Sequence, residues 1–153
     1  MKHIDIYTDG ACSGNPGAGG YGAVLLFNGQ RKEISAGYRC TTNNRMEIMG
    51  VIKALECLKE KCSVTVYSDS KYVVDAIEKG WVTKWKKNNW MRNAKEKALN
   101  TDLWSELLVL LDYHTVSFVW VKGHADNIEN NRCDNLARNA ISSPPCLEDD
   151  GFK

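Results

Sequence analysis

Ile4 and Ile6 alternate with polar residues up to Asp9, which is the period of a half-buried first strand. Residues 10–22 hold six of the twelve glycines, so the pattern predicts a loop or bulged turn there. Residues 21–28 and 31–41 flank Gly29-Gln30 and read as a hairpin, which makes the first three strands an antiparallel meander. Ile48, Val51, Ile52, Leu55 and Leu58 then fall on one helical stripe. Residues 64–68 form a short β-branched strand, and residues 71–79 a helix that Gly80 is placed to end in the left-handed conformation. After a tryptophan-rich basic segment, Thr101-Asp102 opens a helix with the stripe Trp104, Leu107, Leu108 and Leu111. The apolar run at 116–121 predicts a central, buried strand. Asp126 with Glu129 predicts a capping box for a last helix to about Ile141, stopped by Ser142-Ser143-Pro144-Pro145. The order βββαβα, basic segment, αβα points to an α/β fold with a five-stranded mixed sheet: three antiparallel strands, then parallel ones, with helices on both faces.

Length adds that 153 residues make one domain, taken here as residues 1–141, with 142–153 as a mobile acidic tail. At 43% hydrophobic and 25% charged, the chain has an ordinary globular composition, which excludes disorder over most of it. The longest apolar runs are about five residues, against roughly 20 for a membrane span, and the start lacks the pattern of a signal or transit peptide. The six cysteines include no Cys-x-x-Cys spacing, so free thiols in a reducing, cytoplasmic setting are expected rather than a disulfide framework or zinc site. Net charge is only +1, but residues 81–101 carry six Lys or Arg and one acid. This is a basic patch on a mildly acidic body, suited to a polyanion.

Four acids stand at element ends or first turns: Asp9, Glu47, Asp69 and Asp134. Each has an ordinary explanation. Asp9-Gly10 is a turn dipeptide, Glu47 completes a capping box with Asn44, Asp69-Ser70 caps a helix, and Asp134 lies on a helix face. Together they point elsewhere. Asp9 and Asp69 end two strands expected to be parallel neighbours, at the edge where open α/β sheets bind ligands. Glu47 starts a helix packed on that sheet, and Asp134 lies about two turns into the helix after the last strand. Two unit charges about 4 Å apart repel by roughly 4 kcal/mol at an effective dielectric near 20, so such a cluster calls for divalent cations. All-oxygen ligation suits Mg²⁺, with Mn²⁺ as a substitute, and two such ions can clamp a phosphodiester displacement.

The runs Tyr7-Thr8-Asp9-Gly10-Ala11-Cys12, Gly14-Asn15-Pro16-Gly17, Thr41-Thr42-Asn43-Asn44-Arg45-Met46-Glu47, Ser68-Asp69-Ser70, Trp120-Val121-Lys122-Gly123-His124-Ala125 and Asn130-Asn131-Arg132-Cys133-Asp134-Asn135-Leu136-Ala137 stand in an order that resembles bacterial-type ribonuclease HI. The likeness runs from Met1 to about Ile141. It implies a ribonuclease H-like fold with a basic handle at 81–101. It also implies an endoribonuclease that cuts the RNA strand of RNA–DNA hybrids with two Mg²⁺ ions, leaving 5′-phosphate and 3′-hydroxyl ends. No oligomer seam stands out in the sequence, so a monomer is the default, and the short apolar runs leave no membrane partner. Asp9, Glu47, Asp69 and Asp134 match the family's metal-binding carboxylates, with Asp9 between the ions. His124 matches its loop histidine, which assists proton transfer or product release. Asn15, Asn43 and Asn44, with Cys12 nearby, match positions that read the 2′-hydroxyls of RNA. Thr42 and Asn100 match a grip on a DNA phosphate. Lys84, Lys86 and Lys87 match handle contacts to DNA, with Trp81 and Trp85 against deoxyribose and Lys71 as an added backbone contact, whereas Trp90 and Trp104 read as a packing cluster. Cys40 stands where relatives often have Arg, and Asp126-Asn127-Ile128 where they often have Gly-His-Pro. The alternatives are a non-catalytic hybrid-binding module and another nuclease of the same fold.

Overall fold

A computed structural model describes residues 1–123, 126–143 and 146–152. Strands β1 (Lys2–Ser13), β2 (Gly17–Phe27) and β3 (Gln30–Thr41) form the antiparallel meander, and helix α1 (Asn43–Glu56) follows. Strand β4 (Cys62–Ser68), helices α2 (Lys71–Glu78), α3 (Trp81–Lys87) and α4 (Thr101–Tyr113), strand β5 (Thr115–Trp120), helix α5 (Ile128–Ile141) and strand β6 (Cys146–Leu147) complete the chain. The sheet order is β5-β4-β1-β2-β3-β6. Strands β4 and β5 run parallel to β1, and Thr8 pairs with Ser68, so Asp9 and Asp69 leave that pairing side by side.

Residues on a strand alternate between faces, and β2 shows how this sheet uses that alternation. A Cβ on Gly19 would press on Met46 of α1, while one on Gly22 would lie 2.4 Å from the Cys133 carbonyl of α5. The two helices therefore cover opposite faces, and α5 lies unusually close to the sheet. Between sheet, α1 and α4 sits a core that includes Ile6, Met46, Ile48, Ile52, Leu55, Val66, Trp104 and Leu107, all essentially inaccessible. Gly80 adopts φ +74° between α2 and α3, as the sequence predicts.

Five expectations need correction. The sheet has six strands rather than five, because Cys146-Leu147 pairs with Gly37-Tyr38 at the far edge. The glycine-rich stretch is mostly strand, with only residues 14–16 between β1 and β2: Gly14 turns the chain at φ +81°, whereas Gly10, Gly19, Gly20 and Gly22 serve close helix packing. Strand β5 is an edge strand and not a central one; Phe118 is its buried residue, while Val119 and Trp120 are exposed. The cap of α5 is Asn127, whose side chain accepts from the Asn130 N–H at 2.9 Å, in place of Asp126. The tail, expected to be mobile, docks on the body: beyond β6, Asp149 is buried. All six cysteines are free thiols. Among the described residues no helix is long and apolar enough to cross a membrane.

Candidate active site and nucleic-acid interface

Asp9 projects from β1 where its partner β4 ends, Asp69 follows β4, and Glu47 lies in the first turns of α1. Gly10 is what lets α1 reach them. A Cβ there would lie 2.6 Å from the Glu47 nitrogen and 2.9 Å from its Oε1, so any side chain would push the helix away. One carboxylate oxygen from each of Asp9, Glu47 and Asp69 falls within 4.8 Å of the others. Asp9 and Glu47 are buried and Asp69 is half-buried.

That proximity is electrostatically costly. Burial, then the Asp69 charge, push the Asp9 carboxyl up from 3.8 to about 7, although the Gly10 N–H donates to its Oδ1 at 2.9 Å. Burial, then the Asp9 charge, push Glu47 well above the usual carboxylate range. Glu47 Oε1 is buried without a hydrogen-bond partner among the described residues. Leaving such an oxygen unpaired normally costs about 1–3 kcal/mol, so the site is built for something that supplies positive charge. An all-oxygen donor set of this kind fits a hard divalent cation. Asp134, on α5, stands outside the tight cluster. Arg138, one turn on, holds its carboxylate, and its charge also raises Asp9. His124 lies outside the described residues.

The other predicted residues fall into two groups. Around the start of α1, Thr42 caps the helix by accepting from the Arg45 N–H at 3.2 Å, and the Asn15 side chain accepts from the Asn43 N–H at 3.1 Å. Asn15, Thr42, Asn44 and Asn100 line a cleft of about 490 Å³. Cys12 lies nearby on β1, its thiol directed to the carbonyls of Gly17 and Thr41, and burial raises its pKa. The second group is on α3, where Trp81, Lys84, Lys86 and Lys87 are exposed and Trp85 is half-buried. Trp104 is fully buried and Trp90 partly so, in keeping with packing.

Sequence reading missed three features. Trp120 donates its indole N–H to the Asp69 carbonyl at 3.1 Å and carries Lys71 over its ring at 4.8 Å, so it braces both. The Tyr72 hydroxyl accepts from Asn100 at 3.2 Å and from Trp104 at 3.3 Å. Arg45 is buried, paired with the buried Asp149 and with the exposed Asp102. A charged residue one place before the buried Met46 was the available signal for the last.

The RNase H family model matches residues 1–142. The ribonuclease H of Desulforamulus reducens is 63% identical over 144 residues, covering 94% of this chain and 91% of its own length. The crystal structure of LC9-RNase H1, described as a type 1 RNase H with the type 2 active-site motif, superimposes with a TM-score of 0.82 at 30% identity, covering 92% of this chain and 72% of that one. LC11-RNase H1, solved in complex with an RNA/DNA hybrid, gives a TM-score of 0.71 at 26% identity over 90% of this chain and 96% of its own.

Proposed function

The chain belongs to the RNase H family, and from this we propose that it is an endoribonuclease that hydrolyses the RNA strand of RNA–DNA hybrids by two-metal-ion catalysis, leaving 5′-phosphate and 3′-hydroxyl ends. The observation that carries the reading is the convergence of Asp9, Glu47 and Asp69 around an unpartnered buried oxygen, with a polar cleft lined by the start of the same helix that carries Glu47. Asp9, Glu47, Asp69 and Asp134 would hold Mg²⁺, with Mn²⁺ as a substitute. Divalent ions bound there supply positive charge against the negative charge that develops on the phosphate, and they acidify water.

The chain's own groups do the rest. Asn15, Asn43 and Asn44 offer short polar side chains to the 2′-hydroxyls of the RNA strand, which mark RNA against DNA. Thr42 and Asn100 hold a DNA phosphate in the cleft. Lys84, Lys86 and Lys87 neutralise further phosphates, with Trp81 and Trp85 against the sugars and Lys71 adding a backbone contact. His124 matches the family's loop histidine and assists proton transfer or product release. One chain supplies every one of these groups, which supports action as a monomer. Six free thiols support a reducing, cytoplasmic setting.

The test is a gel assay on one labelled RNA strand, offered as hybrid, single strand and RNA duplex, with Mg²⁺ and with EDTA. Cleavage of the hybrid alone, lost in EDTA, is expected. Binding without cleavage, or cleavage of DNA instead, would overturn the proposal.

A further inference from the structure

A buried arginine ties the C-terminal tail to the polar cleft. Arg45 is 3% exposed and Asp149 is 8% exposed. The Arg45 Nε and Nη2 donate to the two Asp149 oxygens at 2.7 and 3.0 Å, and Nη1 and Nη2 donate to Asp102 at 2.9 and 2.6 Å. Thr41 Oγ1 adds a hydrogen bond to Asp149 at 2.7 Å. The guanidinium has one further contact, to the Asn100 Oδ1 at 3.4 Å.

Asn100 is the residue to which this network leads. It precedes α4 at φ 61°, a left-handed conformation, yet its side chain does not cap that helix. Its amide is held from both sides instead, with Oδ1 accepting from Arg45 and Nδ2 donating to the Tyr72 hydroxyl. The orientation of the amide is thereby set by two other elements. Asn100 and Arg45 line the cleft together with Thr42, and Gly151 and Phe152 of the tail form part of the same wall.

We propose that Asp149 is a positioning residue for nucleic-acid binding: it fixes Arg45, Arg45 orients the Asn100 amide at the cleft wall, and the tail is thus part of the substrate-binding apparatus. This rests on the hybrid-nuclease reading above. Arg45 acts through Asn100 and not as the anion's own partner, because it is buried and already faces two carboxylates. Asp149→Asn removes the charge and one of the two oxygens that seat Arg45, so the guanidinium is held mainly by Asp102 and no longer has one fixed pose from which to hold Asn100. The carboxylates at Asp9, Glu47 and Asp69 are untouched, so the defect falls on binding and not on the chemical step.

The experiment compares wild type, Asp149→Asn, Thr41→Val and a chain ending at Ser143. It measures kcat and KM on a labelled hybrid with Mg²⁺, and the Kd for the hybrid in EDTA, well below each Tm. Asp149→Asn is expected to raise KM and Kd roughly 3–10-fold, the scale of one positioned hydrogen bond, with kcat within about twofold. The shortened chain shows at least as large an effect. Thr41→Val, which removes only the hydroxyl bond, gives a smaller rise of the same kind and serves if Asp149→Asn does not fold. In an Asn100→Ala background, Asp149→Asn should raise KM no further. A purely structural tail would lower the active fraction, and with it the apparent kcat, while leaving KM unchanged. That result, or an independent KM effect in the Asn100→Ala background, would overturn the proposal. A wild type that neither binds nor cleaves hybrid would instead refute the hybrid reading itself.

Discussion

Neutralising Asp9 with Asp9→Asn is expected to stabilise the metal-free protein while abolishing cleavage. The folded chain raises this carboxyl from 3.8 to about 7, through burial first and the Asp69 charge second. An acid with a raised folded pKa binds its proton more tightly in the folded state. Its contribution to stability is therefore present below about pH 4 and lost as pH rises through about 7. At 1.36 kcal/mol per pH unit, the loss is at most about 4 kcal/mol at pH 8. The amide cannot ionise, yet its oxygen can still accept from the Gly10 N–H, which lies 2.9 Å from Asp9 Oδ1. In a chain of this length about 1 kcal/mol moves Tm by roughly 2–4 °C, so the variant should melt up to about 16 °C higher than wild type in EDTA at pH 8. The gap should shrink by more than half near pH 5, where wild-type Asp9 is already protonated in the folded state. Millimolar Mg²⁺ should then raise the Tm of wild type far more than that of the variant, since binding to the folded state alone adds about 2.7 kcal/mol at a hundredfold excess over Kd. Calorimetric melts of both proteins in EDTA and in Mg²⁺ at the two pH values provide the measurement. A variant that melts no higher than wild type in EDTA at pH 8 would refute the idea that the site stores carboxylate repulsion.

Three other outcomes are expected. Replacing Lys86 and Lys87 by Ala should weaken hybrid binding and reduce the slope of log K against log salt by about two, as measured by titrations across salt concentration; an unchanged slope would remove α3 from the interface. Gly10→Ala should cost about 1–3 kcal/mol of stability and most of the activity, because the new methyl would lie 2.6 Å from the Glu47 nitrogen; denaturant melts and the hybrid assay read both. Glu33 is held at about 2, first by Arg132 and then by Arg31, so its ion pairs contribute above the usual carboxylate range and are lost as pH falls from 4.5 through 2. Glu33→Gln should therefore lower Tm at neutral pH, with the difference vanishing near pH 2; an equal deficit at both ends would mean the ion pairs are not the cause.

The convergence of Asp9, Glu47 and Asp69 was legible because each of the three carries a local signal. Asp9 and Asp69 follow strand patterns of period two, and their parallel neighbourhood was foreseen from the element order. Glu47 lies beside the stripe that begins at Ile48, and a helix stripe reports which side faces the core. Gly80 likewise announced its left-handed turn, because few other residues tolerate one.

What resisted reading depends on partners far away in the chain. An apolar run such as 116–121 does not say whether a neighbour lies on both sides, and here β4 lies on one side only. Glycines in 10–22 looked like turns, but beside Gly10, Gly19, Gly20 and Gly22 the space is occupied by α1 and α5. The raised pKa of Asp9 needed the convergence of three elements, since desolvation and neighbouring charge exist only once the chain is packed. The same holds for Arg45 and Asp149, more than a hundred residues apart and both burying charge because the other is there. Sequence by itself determined the local elements, the chemistry of the donor set and the family. Tertiary structure alone decided the strand order, the strain stored among the carboxylates and the docking of the tail, because pairing, burial and field strength belong to distances in space and not to spacing along the chain.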